Sequence, residues 1–154
     1  MYAVTKHDFK TEAMVNYDDS VLQQFVSGDL NVELTAFYID GKNLIQFISE
    51  VSDKNTNIGS FINKGVELAA NYRISNNLKL AATYSYLYTD KAILAAPRHL
   101  AFLEANWRVK NLMLSANAQY VNRLYTSVEK DINIEDYFLL NMRASYKFPR
   151  IVSV

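Results

Sequence analysis

The chain has 154 residues, half of them hydrophobic, and its 16 basic and 16 acidic side chains leave no formal net charge. That balance excludes a nucleic-acid surface built on basic excess and an acidic disordered tail, and the lack of cysteine excludes a disulfide scaffold and thiolate metal sites. Eleven Tyr and eight Phe against 4 Gly and 2 Pro point to a tyrosine-rich sheet protein, and no run approaches the roughly 20 apolar residues of a membrane helix.

The opening MYAVTKHDFKTEAM has no basic stretch followed by an apolar one, so no signal peptide is expected there. Either the protein is cytosolic or the start of the natural chain lies elsewhere. A poor strand is expected near Glu12–Tyr17, then a long one over 31–48, with Val32, Leu34, Ala36 and Tyr38 on one face. Residues 50–60 read as a loop. Lys64 and Gly65 open the next strand, where the glycine is expected to permit a bulge. Over 66–73, Val66, Leu68, Ala70 and Tyr72 point one way and Glu67, Ala69, Asn71 and Arg73 the other. A side-chain period of two belongs to a strand with one apolar face.

The same period returns in 78–86, 101–107, 112–120 and 140–148, whose apolar faces carry no Asp, Glu, Lys or Arg. Short polar turns at 75–77 and 110–111 alternate with longer segments at 50–60, 89–97 and 122–136. After Phe148, PRIVSV reads as a turn and the first residues of another strand. This order is an up-and-down meander with short turns at one end and long loops at the other, the asymmetry of outer-membrane barrels. The expected fold is therefore all-β and antiparallel, a segment of six good strands plus the poorer first one.

Aromatic residues fall at both ends of the apolar faces. Tyr72, Trp107, Tyr146 and Phe148 lie near the short turns, and Tyr38, Tyr84, Tyr86 and Tyr120 near the long loops, with Leu, Val and Ala between. Two aromatic belts around an aliphatic band suit the two water–lipid interfaces. The eight steps from Leu78 to Tyr86, at about 3.3 Å each and tilted by about 40°, rise roughly 20 Å, close to the apolar height of such a barrel. A soluble core would need bulkier side chains at the many mid-face Ala positions to reach packing density. The opposite faces, with Glu67, Arg73, Lys79, Glu104, Arg108, Arg143 and Lys147, would line a wet lumen on this reading, or a solvated exterior on the soluble one.

These segments resemble, in order, strands of TonB-dependent outer-membrane receptors. The matching strings are NVELTAFYIDGKNLIQFI (31–48), NKGVELAANYRISNNLKLAATYSYLYTD (63–90), APRHLAFLEANWRV (96–109), NLMLSANAQYVNRLY (111–125) and YFLLNMRASYKF (137–148). The resemblance implies that residues 1–154 form part of the C-terminal half of a barrel of about 22 strands, without its plug domain, TonB-interacting segment or signal peptide. It implies a place in the bacterial outer membrane and a role in TonB-energised uptake of a scarce, bulky nutrient such as a ferric siderophore, haem or cobalamin. Its implied partners are outer-membrane lipid, the rest of the barrel and plug, TonB through the missing N-terminal part, and a small ligand such as a metal chelate or corrinoid. No nucleic acid and no cofactor are implied.

Candidate ligand contacts are Tyr125, Asp131 and Glu135 in the third long loop, since binding concentrates in loops on a rigid scaffold. His99 beside Arg98 has no second ligand at metal spacing, and neither has His7. No nucleophile–base arrangement, phosphate loop or HExxH is present, so an enzyme is not expected. Two other classes fit the alternation. One is a small stand-alone outer-membrane barrel of porin or adhesin type, which the unfinished end opposes. The other is a soluble lipocalin-like ligand-binding barrel.

Overall fold

Strict alternation of apolar and polar side chains leaves each segment one conformation that separates them, the extended strand. The computed structural model describes residues 9–43, 45–48, 54–57, 59–90, 96–125 and 133–148. In chain order its strands are β1 (Ala13–Phe25), β2 (Leu30–Lys42), β3 (Ile45–Ile48), β4 (Lys54–Asn57), β5 (Phe61–Arg73), β6 (Leu78–Thr89), β7 (His99–Val109), β8 (Leu112–Asn122), β9 (Leu124–Tyr125), β10 (Asn133–Ile134) and β11 (Tyr137–Tyr146). Seven of them form one antiparallel sheet in the order β1-β2-β5-β6-β7-β8-β11, so each strand lies beside its predecessor in the sheet. The pairs β3–β4 and β9–β10 are separate hairpins that rise from the long-loop end.

Three tight connections close the other end. Val26, Ser27 and Gly28, all at positive φ, turn β1 into β2. Residues 74–77 turn β5 into β6, where the Ser75 hydroxyl accepts from the Asn77 and Leu78 amides. Lys110 at φ 52° and Asn111 turn β7 into β8.

Several sequence expectations are corrected. The poor strand at 12–17 is part of a full strand of 13 residues. It looked weak because Asp19 and Gln23 share a face with Tyr17, Val21 and Phe25. Nothing in the structure explains Asp19 at mid-strand. The stretch 31–48 is two strands, broken where Asn43 takes φ 60°, a left-handed conformation that Asn tolerates. Residues 50–60 hold β4, which folds back on β3. Asn57 ties that hairpin to the lead-in of β1, accepting from the Lys10 amide at 3.0 Å and donating to the Lys10 carbonyl at 3.1 Å. The last strand starts at Tyr137 and ends at Tyr146, so Phe148 lies just past it.

Gly65 makes no bulge. Its pairing is continuous with Phe37 on β2 and Leu87 on β6. What the glycine supplies is space, because a Cβ there would overlap the Tyr86 carbonyl oxygen and approach the Phe37 ring at 2.6 Å. Gly41, opposite Phe61, likewise leaves room for that ring.

The sheet is one layer thick. Among the described residues only Phe61 and Val121 are buried apolar side chains. The surface is 11820 Å², against roughly 7,900 Å² for a compact monomer of this mass. Leu68 and Leu103, at the centre of the apolar face, are 42% and 52% exposed, and Leu80 and Leu114 are half-buried. No described element covers them, so the closed apolar interior of a lipocalin-like barrel is not formed.

The two glycines should respond differently to substitution. Gly65→Ala forces its Cβ against backbone and should destabilise the folded sheet by about 1–3 kcal/mol. Gly41→Ala displaces only the far end of the Phe61 ring, and Phe61→Leu should restore most of its loss. Urea unfolding of the complete protein in lipid vesicles checks this. Equal costs, or rescue of Gly65→Ala by Phe37→Leu, would contradict the steric assignment.

Candidate functional site

Register fixes which side chains share a face. On the apolar face the rungs run Leu34–Leu68–Tyr84–Ala101–Tyr120–Phe138 and Val32–Ala70–Ala82–Leu103–Ala118–Leu140 across β2, β5, β6, β7, β8 and β11. The expected belt residues fall on this face at the expected ends. Tyr72, Trp107 and Tyr146 stand near the tight turns, and Tyr38, Tyr84, Tyr86 and Tyr120 near the long loops. Phe148 meets Tyr146 edge-on at 4.9 Å between ring centres. Trp107 is 49% exposed and Met142 77%.

The opposite face carries Glu67, Arg73, Lys79, Glu104, Arg108 and Arg143, with Lys147 just beyond β11, where its amide donates to the Asn111 carbonyl. The hollows of the sheet open mostly on this side. One of about 430 Å³ brings Arg73, Lys79 and Glu104 together with Asn71 and Asn106. A second holds Glu33 and Glu67 with Thr35, Thr83 and Ser85, and a third brings Arg108, Lys110 and Lys147 together. Glu67 and Glu104, the conceivable carboxylate pair, therefore sit in different hollows.

Hydrogen bonds along this face are between polar side chains. Ser20 donates to Glu33 at 2.9 Å, Thr35 to Ser20 at 3.0 Å, Asn106 to Glu104, Ser115 to Asn106 at 2.7 Å and Asn141 to Asn117 at 2.9 Å. Arg73 pairs with Asp29 at 2.5 Å across the mouth of the β1–β2 turn. Lys79, Arg108, Arg143 and Lys147 have no ion pair among the described residues. The face is thus stratified, with cations toward the tight turns, carboxylates at mid-height, and Phe37, Phe61, Phe102 and Val121 toward the long loops. Sequence alternation showed the face but not this layering, because height along the barrel wall depends on register.

Of the three loop candidates, Glu135 is exposed just before β11, and the backbone of Tyr125 pairs with Asn133 in the β9–β10 hairpin. Asp131 lies outside the described residues.

A group the sequence did not reveal stands at the foot of this hairpin. The Asp136 carboxylate accepts from the Asn122 side-chain amide, the Tyr120 hydroxyl at 3.1 Å and the Arg123 backbone amide at 3.2 Å. These bonds, the Asn122 amide first and then the Arg123 backbone N–H, hold the Asp136 carboxyl below the usual carboxylate range. Arg123 is at φ 52°, so the carboxylate also secures the left-handed residue where β8 ends. No spacing rule links residues 120, 122 and 136, which only pairing of β8 with β11 brings together.

His99 hydrogen-bonds Tyr84, with Nδ1 2.8 Å from Oη, and its ring lies 5.1 Å from that of Tyr86. Among the described residues no three His, Cys, Asp or Glu side chains gather as metal ligands. Among the described residues no helix is long and apolar enough to cross a membrane.

The model of the TonB dependent receptor-like β-barrel family matches residues 2–154. A comparison with curated proteins found no match. Among solved structures the sheet is similar to the ferric yersiniabactin uptake receptor FyuA from Yersinia pestis, with TM-score 0.75 and 17% identity, over 88% of this chain and 22% of that one. It is similar to FpvA of P. aeruginosa, solved with bound pyoverdines, with TM-score 0.72 and 18% identity over 92% and 22%. The siderophore receptor PiuA from Acinetobacter baumannii gives TM-score 0.71 and 19% identity over 89% and 22%. The chain thus spans about a fifth of the length of each.

Because the folded Asp136 is more acidic than the unfolded one, its bonds add stability that is complete above the unfolded value and is lost as pH falls through the lower folded one. Protection of the Arg123 amide from hydrogen exchange should therefore hold through pH 5 and disappear only below about pH 4. Asp136→Ala should remove that protection at every pH. Unchanged protection in the variant would show that the clasp does not hold this corner.

Proposed function

Since the chain belongs to the TonB-dependent receptor β-barrel family, whose members are bacterial outer-membrane proteins, we propose that it is a wall segment of a receptor importing a scarce, bulky metal chelate. The observation that carries this reading is an apolar face left bare across seven strands, combined with the family match over residues 2–154. In water such a face would drive aggregation. Against hydrocarbon it is the stable arrangement, since lipid fills the gaps beside Ala70, Ala82, Ala105 and Ala116 and the backbone groups are satisfied within the ladder.

On this reading Leu34, Leu68, Leu103, Leu140 and Met142 meet acyl chains and the two aromatic belts meet the interfaces. Glu67, Arg73, Lys79, Glu104, Arg108, Arg143 and Lys147 line the lumen, where charges remain solvated or paired with whatever fills it. The long loops face outward, and Tyr125, Asp131 and Glu135 belong to the surface that first meets the ligand. Seven strands supply roughly a third of a barrel of about 22, so the remaining wall, the gating plug and the coupling to TonB belong to other parts of the protein. Solved relatives described as receptors for ferric yersiniabactin, pyoverdine and other siderophores support a ferric siderophore as cargo over haem or cobalamin. The family is one of transport receptors, and the reading includes no chemical step.

Leu103→Arg separates lipid from water as the neighbour of this face. In a bilayer it should destabilise the folded protein by roughly 2–4 kcal/mol, as mid-membrane cations on a barrel exterior do, whereas Ser115→Arg on the polar face should be nearly neutral. On a water-facing surface both would be neutral, and that result in vesicle unfolding assays would remove the membrane reading. Transport is tested separately. Deleting the gene should abolish growth on its ferric siderophore under iron limitation, as should loss of TonB. Growth unaffected by the deletion across ferric siderophores, haem and cobalamin would refute the receptor role.

A further inference from the structure

Between the two aromatic belts the apolar face carries a single acidic or basic side chain among the described residues, Asp19. Its exposed carboxylate lies one rung inside the outer belt, where Tyr17 faces Tyr38, and three rungs from Phe25 at the tight-turn end. One rung is two residues, about 7 Å along the strand, and an Asp side chain is too short to carry its charge back over that distance as a Lys or Arg does. No hydrogen bond or ion pair reaches it among the described residues. The polar groups beside it in sequence are engaged elsewhere. Asp18 accepts from Asn16 at 2.8 Å, and Ser20 donates to Glu33 on the other face. Gln23, which shares the apolar face of β1, donates to the adjacent Gln24 carbonyl at 3.1 Å.

The flank toward β2 offers no cation. Asp19 faces Ala36 there, with Leu34 and Tyr38 on the diagonals and Val66 beyond. Lys64, one rung nearer the long loops and two strands away, reaches toward β6, with its Nζ 5.0 Å from the centre of the Tyr88 ring. The other flank differs in kind. β1 is the end strand of the sheet, so its outer edge has no neighbour among the described strands, and a membrane does not tolerate a bare edge. A strand paired along that edge sets the side chain facing Asp19 with its Cβ about 5 Å away, and those one rung up or down stay within reach of a long side chain. An unpaired carboxylate is unfavourable against hydrocarbon, and charges within a membrane are accordingly found paired.

We infer that the exterior of the intact barrel holds an ion pair at this point, between Asp19 and a lysine or arginine on the strand that pairs with the free edge of β1. This rests on the membrane orientation and the completed wall proposed above. The pair lies on the lipid-facing side and fixes the register of the incoming strand, since a slip of one residue would turn the cation into the lumen.

The test is urea unfolding of the full-length protein in lipid vesicles. Asp19→Leu should raise the unfolded-to-folded ratio roughly ten- to hundred-fold, because it leaves a cation among lipid without its partner. Asp19→Asn should act in the same direction and Asp19→Glu should stay close to wild type, which keeps the test sound if the leucine variant folds badly. Val21→Leu, two residues along the same face, should change little. Asp19→Lys should be rescued by changing one basic residue of the neighbouring strand to Glu, and that double variant identifies the partner. A lower ratio in Asp19→Leu would mean that the carboxylate meets lipid alone, and the pair would be overturned. The proposal also falls if no basic residue of that strand rescues Asp19→Lys, or if Asp19→Leu instead dissolves an oligomer in sedimentation. If Leu103→Arg proves neutral, the orientation itself falls; if it destabilises while Asp19→Leu stabilises, only the ion pair falls.

Discussion

A strand exposed to hydrocarbon has no water to satisfy its amides and carbonyls, and the continuous ladder of this sheet meets that constraint. The six pairings of the seven-stranded sheet are antiparallel, with no rung skipped between Ala13↔Lys42 on β1–β2 and Tyr146↔Leu112 on β8–β11. Among the described residues, breaks in strand geometry occur only at the rims. Asn43 and Arg123 take left-handed conformations where the hairpins leave the long-loop end, and Val26, Ser27, Gly28 and Lys110 take them in the tight turns. Both groups lie where the family's barrels meet water.

With the backbone satisfied in the plane of the sheet, the two faces are free to meet different solvents. One presents leucine, valine, alanine and methionine between two tyrosine-rich belts. The other is layered from cations through carboxylates to a small apolar collar around Phe61 and Val121, the two buried apolar side chains among the described residues. That collar replaces a core only locally. It packs Phe37 against Gly65 and Phe61 against Gly41, so aromatic rings cover the two positions where strand pairing lacks a side chain. Stability of the whole sheet has to come from its solvent and from its neighbours in the barrel.

The legible and illegible parts of the sequence divide by range. The strands β5 to β8 were readable because the apolar faces of 66–73, 78–86, 101–107 and 112–120 carry no charge, although Lys64 stands on that face at the long-loop end of β5. The first strand was half-hidden because Asp19 and Gln23 interrupt that rule. Asn43 concealed a strand break, since an asparagine between two apolar runs is equally compatible with a continuous strand. Gly65 suggested a bulge, yet it serves a phenylalanine 28 positions earlier in the chain, on the neighbouring strand. Among functional positions, the face of each belt and lumen residue followed from parity, while the Asp136 clasp needed neighbours 13 to 16 residues away.

By itself, the order of residues determined that the strands are two-faced and that their long connections gather at one end, because side-chain parity and turn length are local properties of the backbone. Only the tertiary structure decided that no described element covers the apolar face, at what height each charge stands, and which loop residues are clasped to a strand. Those outcomes depend on register between strands far apart in the chain, and a period of two is the same in every register that keeps the faces apart.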